Sequence, residues 1–368
     1  MNNYQKNFIN TYKDIYHHRY LYSKNEAKDA LVLIKKNLRE SKISNKNIKN
    51  LKVLNVGTGR ESFAFLSLGV KNCQLVDLSS KTKLNASIFK KKYKNFFFKI
   101  SDFCRKSLKI QKFNYLYLNG VFHHFHSPEI AFRNILINSE NNSKFFFRIY
   151  KSGSIKFYIV DYLRKFINIS DQKKFNKIFK KKFNIKYLKK DLSHENPIIH
   201  FYEMCVDNFF VPDLYLFDIK SLIKKFDNCG LKKIFCSQTK TYDHSVNQKD
   251  NTGVSLIFEK INNKNKDIKL ISIDQINDIK YKEKFIKETN KVLKDKLILI
   301  KKLDDDRRIN LALDLLFICQ SYRIFKHYKK VSNKQISFFS NKSKEFSSAK
   351  KIHSELRKRI HNEFSKII

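Results

Sequence analysis

The sequence predicts an α/β protein centred on a seven-stranded, mostly parallel sheet with helices on both faces. Three observations predict it. Short apolar runs alternate with amphipathic stretches from Leu51 onward, the first run ends in Gly57-Thr58-Gly59, and the second ends in Asp77. Strand and helix alternating at this spacing imply right-handed parallel crossovers, because a parallel partner strand cannot be reached through a tight turn.

The elements follow in order. Ala27, Ala30, Leu31, Ile34 and Leu38 recur at helical spacing in residues 1–50, and the Lys/Asn/Ser-rich stretch Ser41 to Asn50 reads as a linker into the core. Strands are expected at Lys52 to Val56, Asn72 to Val76, Asn95 to Ile100, Asn114 to Leu118 and Lys144 to Tyr150. Helical patterns separate them, notably a segment through Leu68, Ser80 to Lys92 and Ser127 to Leu136. After Gly153 the alternation stops, and residues 151–215 read as a helical cap insertion with a loop around Ser193 to Pro197. A helix from Phe217 to Cys229, stopped by Gly230, then leads into two last strands, Lys232 to Ser237 and Val254 to Glu259. These complete an α/β domain over residues 51–260. Residues 261–368 read as a helical C-terminal extension, in which Ile352, Leu356, Ile360 and Phe364 form one apolar stripe.

Composition bounds the function. A chain of 368 residues, 42% hydrophobic and 14% aromatic, can bury a real core. The net charge of +42 comes overwhelmingly from Lys, together with abundant Asn, Ile, Phe and Tyr and only seven Gly and three Pro. That joint bias has the form of AT-rich coding pressure. A nucleic-acid surface draws more on Arg, whose guanidinium forks onto phosphate and base edges, so specific nucleic-acid binding is not favoured. Cys73, Cys104, Cys205, Cys229, Cys236 and Cys319 are scattered without a C-x-x-C pair, so a reducing, cytoplasmic setting and no metal site are expected. The first twenty residues lack an apolar h-region, and no stretch reaches the length of a membrane span. Leu311 to Ile318 is too short and is broken by Asp314.

The chemistry concentrates at the ends of the predicted strands. Neither glycine of VLNVGTGRE carries a Cβ, so the backbone there can approach a ligand closely. About twenty residues after the first glycine, Asp77 ends the second strand, where a carboxylate can accept from both hydroxyls of a ribose. His123, His124 and His126 form a second cluster. The first two are adjacent and project in different directions, which makes a poor chelate and favours pocket lining or a general base, His124 first and His123 second.

These segments resemble the class I S-adenosylmethionine-dependent methyltransferases. VLNVGTGRE is similar to the first motif of that family, QLVDLS to its second, KISDF to its third and FNYLYLNGVFHHFHSPEIAFRNI to its fourth. The resemblance covers Leu51 to about Tyr150 and, in outline, Phe217 to Glu259. Two positions depart from it: Asn55 stands where an acidic residue is usual, and Glu61 where a third glycine is usual. The resemblance implies a Rossmann-like fold with S-adenosyl-L-methionine as cofactor. Asn55, Gly57 and Gly59 would lie at its methionine part, Asp77 and Leu78 at the ribose, and Asp102 and Phe103 at adenine, with Asn119 and Gly120 closing the pocket. It further implies a small-molecule methyl acceptor, since Asn119-Gly120-Val121-Phe122 lacks the prolines usual in enzymes that methylate base amines. Tyr150, Tyr202, Asp207 and Phe210 would face that acceptor from the fifth strand and the cap. An RNA-modifying methyltransferase and a non-catalytic module keeping the fold are the alternatives. A dinucleotide oxidoreductase would use the same glycines, but it leaves the missing third glycine and the histidines unexplained.

Overall fold

The computed structural model describes residues 24–57, 59–80, 82–106, 108–151, 172–183, 197–237, 253–261 and 302–310, and a few single residues besides, among them Thr11, Phe157, Arg164 and Leu316. Thr58, Cys319 and the expected stripe from Ile352 to Phe364 lie outside the described residues. The described part divides into two compact units.

The first unit is the sheet. Helix α1 (Lys24–Glu40) and a 310 turn (Asn45–Asn50) precede β1 (Lys52–Val56) and α2 (Arg60–Ser67). The chain continues through β2 (Asn72–Asp77), α3 (Thr82–Lys92), β3 (Phe96–Ile100), β4 (Phe113–Asn119), α4 (Pro128–Asn138) and β5 (Ser139–Tyr150). The same unit then takes in α7 (Ile219–Asn228), β6 (Leu231–Cys236) and β7 (Gly253–Lys260). The strand order is β3-β2-β1-β4-β5-β7-β6. Strands β1 to β5 pair parallel, and β7 runs antiparallel between β5 and β6. The fold is therefore the Rossmann-like, mostly parallel α/β sheet that the alternation predicts. Its winding starts at β1, moves outward to β3 and returns to β4, so the order reverses between β1 and β4. Open α/β sheets bind ligands at the carboxyl ends of the strands at such a switch point.

Strand alternation builds two cores. Leu54, Val56, Leu116, Leu118, Phe145 and Phe147 face α4 and α7, where Phe132 and Phe226 stack with ring centroids 4.3 Å apart. Val53, Leu75, Tyr115, Tyr117 and Phe146 face the other way, against α1, α2 and α3. Burial on both faces explains why these strands read as continuous apolar runs. Helix α1 belongs to the second core through Ala30, Ile34 and Leu38. The stretch expected as a linker is no tether: Ser41 is buried and Ile43 and Ile48 join the same core.

Two tyrosines at core positions of β4 fix where α1 sits. The Tyr117 hydroxyl accepts from Asn37 Nδ2 at 3.0 Å, and the Tyr115 hydroxyl shares a hydrogen bond with Ser41 Oγ at 3.2 Å. An unpaired hydroxyl buried there would lose its water without compensation. Asn37→Ala is therefore expected to destabilise the chain by about 1–3 kcal/mol in urea unfolding. On the opposite side, the ammonium of Lys260 ends β7 by donating to the carbonyls of Leu136 and Ser139 and to Ser139 Oγ.

The second unit contains α5 (Gln172–Lys182) and α6 (Pro197–Phe209). Phe175, Phe179, Phe183, Phe201 and Phe210 pack its interior. Arg164 caps the end of α6 by donating to the carbonyls of Asn208 and Val211 at 2.9 and 2.8 Å. Lys174 pairs with Asp305 and Asp306 at 3.5 and 3.0 Å, so part of the C-terminal extension belongs with the insertion. Among the described residues no helix is long and apolar enough to cross a membrane.

Candidate functional site

The carboxyl ends of β1, β2 and β3 open onto one pocket, lined by Gly57, Asp77, Leu78, Asp102, Phe103 and His124 with Val56, Val76, Ser101, Cys104, Val121, Phe125 and His126. Five of the nine expected cofactor residues are thus in its wall, together with the favoured histidine.

Both glycines are required by backbone shape and close packing. Gly57 has φ +121°, and a Cβ there would lie 3.1 Å from Val121 Cγ2, so its absence lets the β1 and β4 loops meet. Gly59 caps α2 in the left-handed region at φ +87°, where a Cβ would stand 2.5 Å from Leu75 Cδ2. Asp77 is 6% exposed, and its Oδ1 accepts from the Ser79 amide at 2.6 Å. Burial pushes its carboxyl up from 3.8 to about 7, against the lowering effect of Ser79 and Thr82. Burial is the larger effect, so any further hydrogen bond to the carboxylate would favour its charged form.

Two of the expected cofactor residues make hydrogen bonds away from this wall. Asn55 is buried on the α2 side of β1 and donates Nδ2 to Ser62 Oγ at 2.9 Å, so it does not line the pocket. Its position two residues after Val53 puts it on the second core face by strand alternation. Asn119 Nδ2 donates to Glu61 Oε1 at 3.0 Å, linking the end of β4 to the first turn of α2, and it too stays out of the pocket wall. Gly120, at φ +76°, turns the chain beside Val121, which does line it.

The two adjacent histidines are held in opposite tautomers. His123 is fully buried, stacks on Tyr150 at 3.8 Å and accepts the Tyr150 amide at Nδ1 over 3.3 Å, so its proton sits on Nε2. His123, expected as the second choice for a general base, does not line the pocket. His124 Nδ1 lies 3.0 Å from the Asp213 carbonyl. A carbonyl only accepts, so Nδ1 carries the proton and Nε2 carries the lone pair in the neutral ring. Tyr150 joins this pair at the end of β5.

The other acceptor-facing candidates belong to a different unit from the pocket. Tyr202, Asp207 and Phe210 belong to the second unit and are buried. The Tyr202 hydroxyl donates to Asn176 Oδ1 at 2.8 Å, which uses it between α5 and α6. Sequence reasoning missed Cys104 and His126 as wall residues. His126 Nε2 meets Asp102 Oδ2 at 3.1 Å, and Asp102 Oδ1 accepts the Cys104 amide at 2.9 Å. Their proximity depends on the loop after β3 folding toward the turn before α4, which no local spacing reveals.

No protein-family model and no curated protein sequence matches the chain. Among solved structures, it is similar to the Burkholderia thailandensis 1,6-didemethyltoxoflavin-N1-methyltransferase with bound 1,6-didemethyltoxoflavin and S-adenosylhomocysteine. That likeness has a TM-score of 0.42 and 12% identity, covering 70% of this chain and 87% of that one. For the Synechocystis PCC 6803 magnesium protoporphyrin IX methyltransferase with bound SAM the TM-score is 0.36 at 8% identity, over 71% and 85% of the two chains. For a Bradyrhizobium japonicum WM9 N-methyltransferase in complex with S-adenosyl-L-homocysteine it is 0.34 at 9%, over 61% and 86%. These scores and identities are low, and the fold rests on the strand order described above.

Proposed function

We propose that the chain is an S-adenosylmethionine-dependent methyltransferase acting on a small-molecule nucleophile. The observation that carries this reading is Asp77, a buried carboxyl at the end of β2 that lines the same pocket as Gly57. The cofactor needs such a carboxylate for its ribose hydroxyls and a backbone without Cβ atoms beside its amino-acid part. On this reading Asp102 and Phe103 hold the adenine end, and the amino-acid end lies at Gly57.

When bound, the cofactor supplies a methyl group already activated on a sulfonium. The chain has to align the acceptor, exclude water and, for an acidic hydroxyl, take a proton. His124 is the candidate for that proton. Its Nδ1–H is anchored on the Asp213 carbonyl, which leaves Nε2 as the basic atom of a pocket-wall residue. His123 supports it from behind through Tyr150.

A small acceptor is favoured over RNA because the pocket wall, among the described residues, contains no Lys or Arg. The test is transfer of tritium from S-[methyl-3H]adenosylmethionine into fractions of a cell extract. Label is expected in a low-molecular-mass fraction, and His124→Gln is expected to reduce it about 100-fold while leaving S-adenosylhomocysteine affinity within a few fold. Label only in the RNA fraction contradicts the small-molecule reading, and no transfer into any fraction contradicts the enzyme.

A further inference from the structure

The loop after β3 and the turn before α4 bring an aspartate, a cysteine and a histidine to one point. The ligand atoms of Asp102, Cys104 and His126 all lie within 4.8 Å of one another, and Asp102 Oδ2 and His126 Nε2 are 3.1 Å apart. A tetrahedral ion with bonds of about 2.0–2.3 Å holds its ligands roughly 3.3–3.8 Å apart, so small side-chain rotations are enough to close this group.

We propose that Asp102, Cys104 and His126 form a binding site for a zinc-class divalent cation, with a fourth position open to the pocket. Three features carry it. The donors are one sulfur, one imidazole nitrogen and one carboxylate oxygen, which suits a borderline-soft dication and leaves the ligand set at a charge of −2 once the thiol ionises. The three side chains also line one pocket, so an ion held between them can take a fourth ligand from it. Finally, the Cys104 amide holds Asp102 Oδ1 and so directs Oδ2 toward His126.

A coordinated thiol is deprotonated outright, so uptake of the ion releases one proton to solvent as the sulfur–metal bond forms. Three protein ligands and one open position describe an exchangeable site and not a closed structural one. Asp102 is also one of the two residues placed above at the adenine end of the cofactor. On the methyltransferase reading, on which this last link rests, ion and cofactor exclude each other and zinc inhibits.

Cobalt(II) is the probe, titrated into the full chain without cofactor. One cobalt per chain is expected, with a sulfur-to-cobalt charge-transfer band and visible bands of tetrahedral intensity, displaced by one equivalent of zinc. Cys104→Ala should abolish the charge-transfer band, and Cys229→Ala, at a half-buried thiol elsewhere, should leave it intact. His126→Gln, at a partly exposed side chain whose loss spares the core, should weaken cobalt binding at least tenfold. A wild-type chain without the band, a band that survives Cys104→Ala, or an affinity unmoved by His126→Gln overturns the site. Saturating S-adenosylhomocysteine should lower cobalt affinity; if it binds and has no effect, the shared use of Asp102 is wrong. If it does not bind at all, the cofactor reading fails while the cobalt band still establishes the ion site.

Discussion

Asp77→Asn is expected to weaken S-adenosylhomocysteine binding by about 30- to 1000-fold and, at the same time, to stabilise the unliganded chain. The first effect follows from two charge-assisted hydrogen bonds reduced to neutral ones, with an amide N–H2 facing a hydroxyl, about 2–4 kcal/mol together. The second follows from the cost of ionising a buried group. Below about pH 4 the carboxyl is protonated in folded and unfolded chains alike and contributes nothing. From there to about pH 7 the unfolded chain releases the proton and the folded chain retains it, so stability falls as pH rises; above 7 the full cost is present. The substitution should therefore gain about 1–3 kcal/mol at pH 8 and nothing near pH 4, measured by urea unfolding at the two pH values. A residue retained for packing would give the opposite sign at pH 8.

Gly59→Ala is expected to cost about 2–4 kcal/mol. The left-handed conformation at φ +87° disfavours a Cβ by about 1–2 kcal/mol, and the new methyl would stand 2.5 Å from Leu75 Cδ2 in a close-packed core, adding about 1–3 kcal/mol. Gly69 provides the control. It has φ +75° with no atom near the position of a Cβ, so Gly69→Ala should show the backbone cost alone, about 1–2 kcal/mol. Equal losses at the two positions in thermal unfolding would mean that Leu75 moves aside and that the close approach at Gly59 is not structurally required.

Much of this was legible because the fold is written in periodicity. The seven strands lie within a few residues of where apolar runs and turn residues put them, Gly230 ends α7, and Asp77 ends β2. Alternation of side chains along β1 was legible too, but not which face is which: Val53 and Asn55 share one side, and only the packing of α2 reveals that this side is away from the pocket. The stretch from Ser41 to Asn50 read as a linker because its charges outnumber Ile43 and Ile48, although those two side chains suffice to anchor it. Tyr202 and Asp207 came from the resemblance to methyltransferases with a helical cap, and a helix pair sealing its own interior buries such residues equally well. The group formed by Asp102, Cys104 and His126 was illegible because it is made by two loops meeting, and no period records that.

The central claim is that Asp77 and its neighbours bind the nucleoside of an S-adenosyl cofactor, and isothermal titration of the full chain with S-adenosylhomocysteine tests it most directly. The account predicts saturable binding at one site at pH 8 that weakens by up to about tenfold per pH unit below 7, as Asp77 takes up its proton. Absence of binding at millimolar ligand at pH 8, or an affinity that is the same at pH 8 and pH 6, would contradict it.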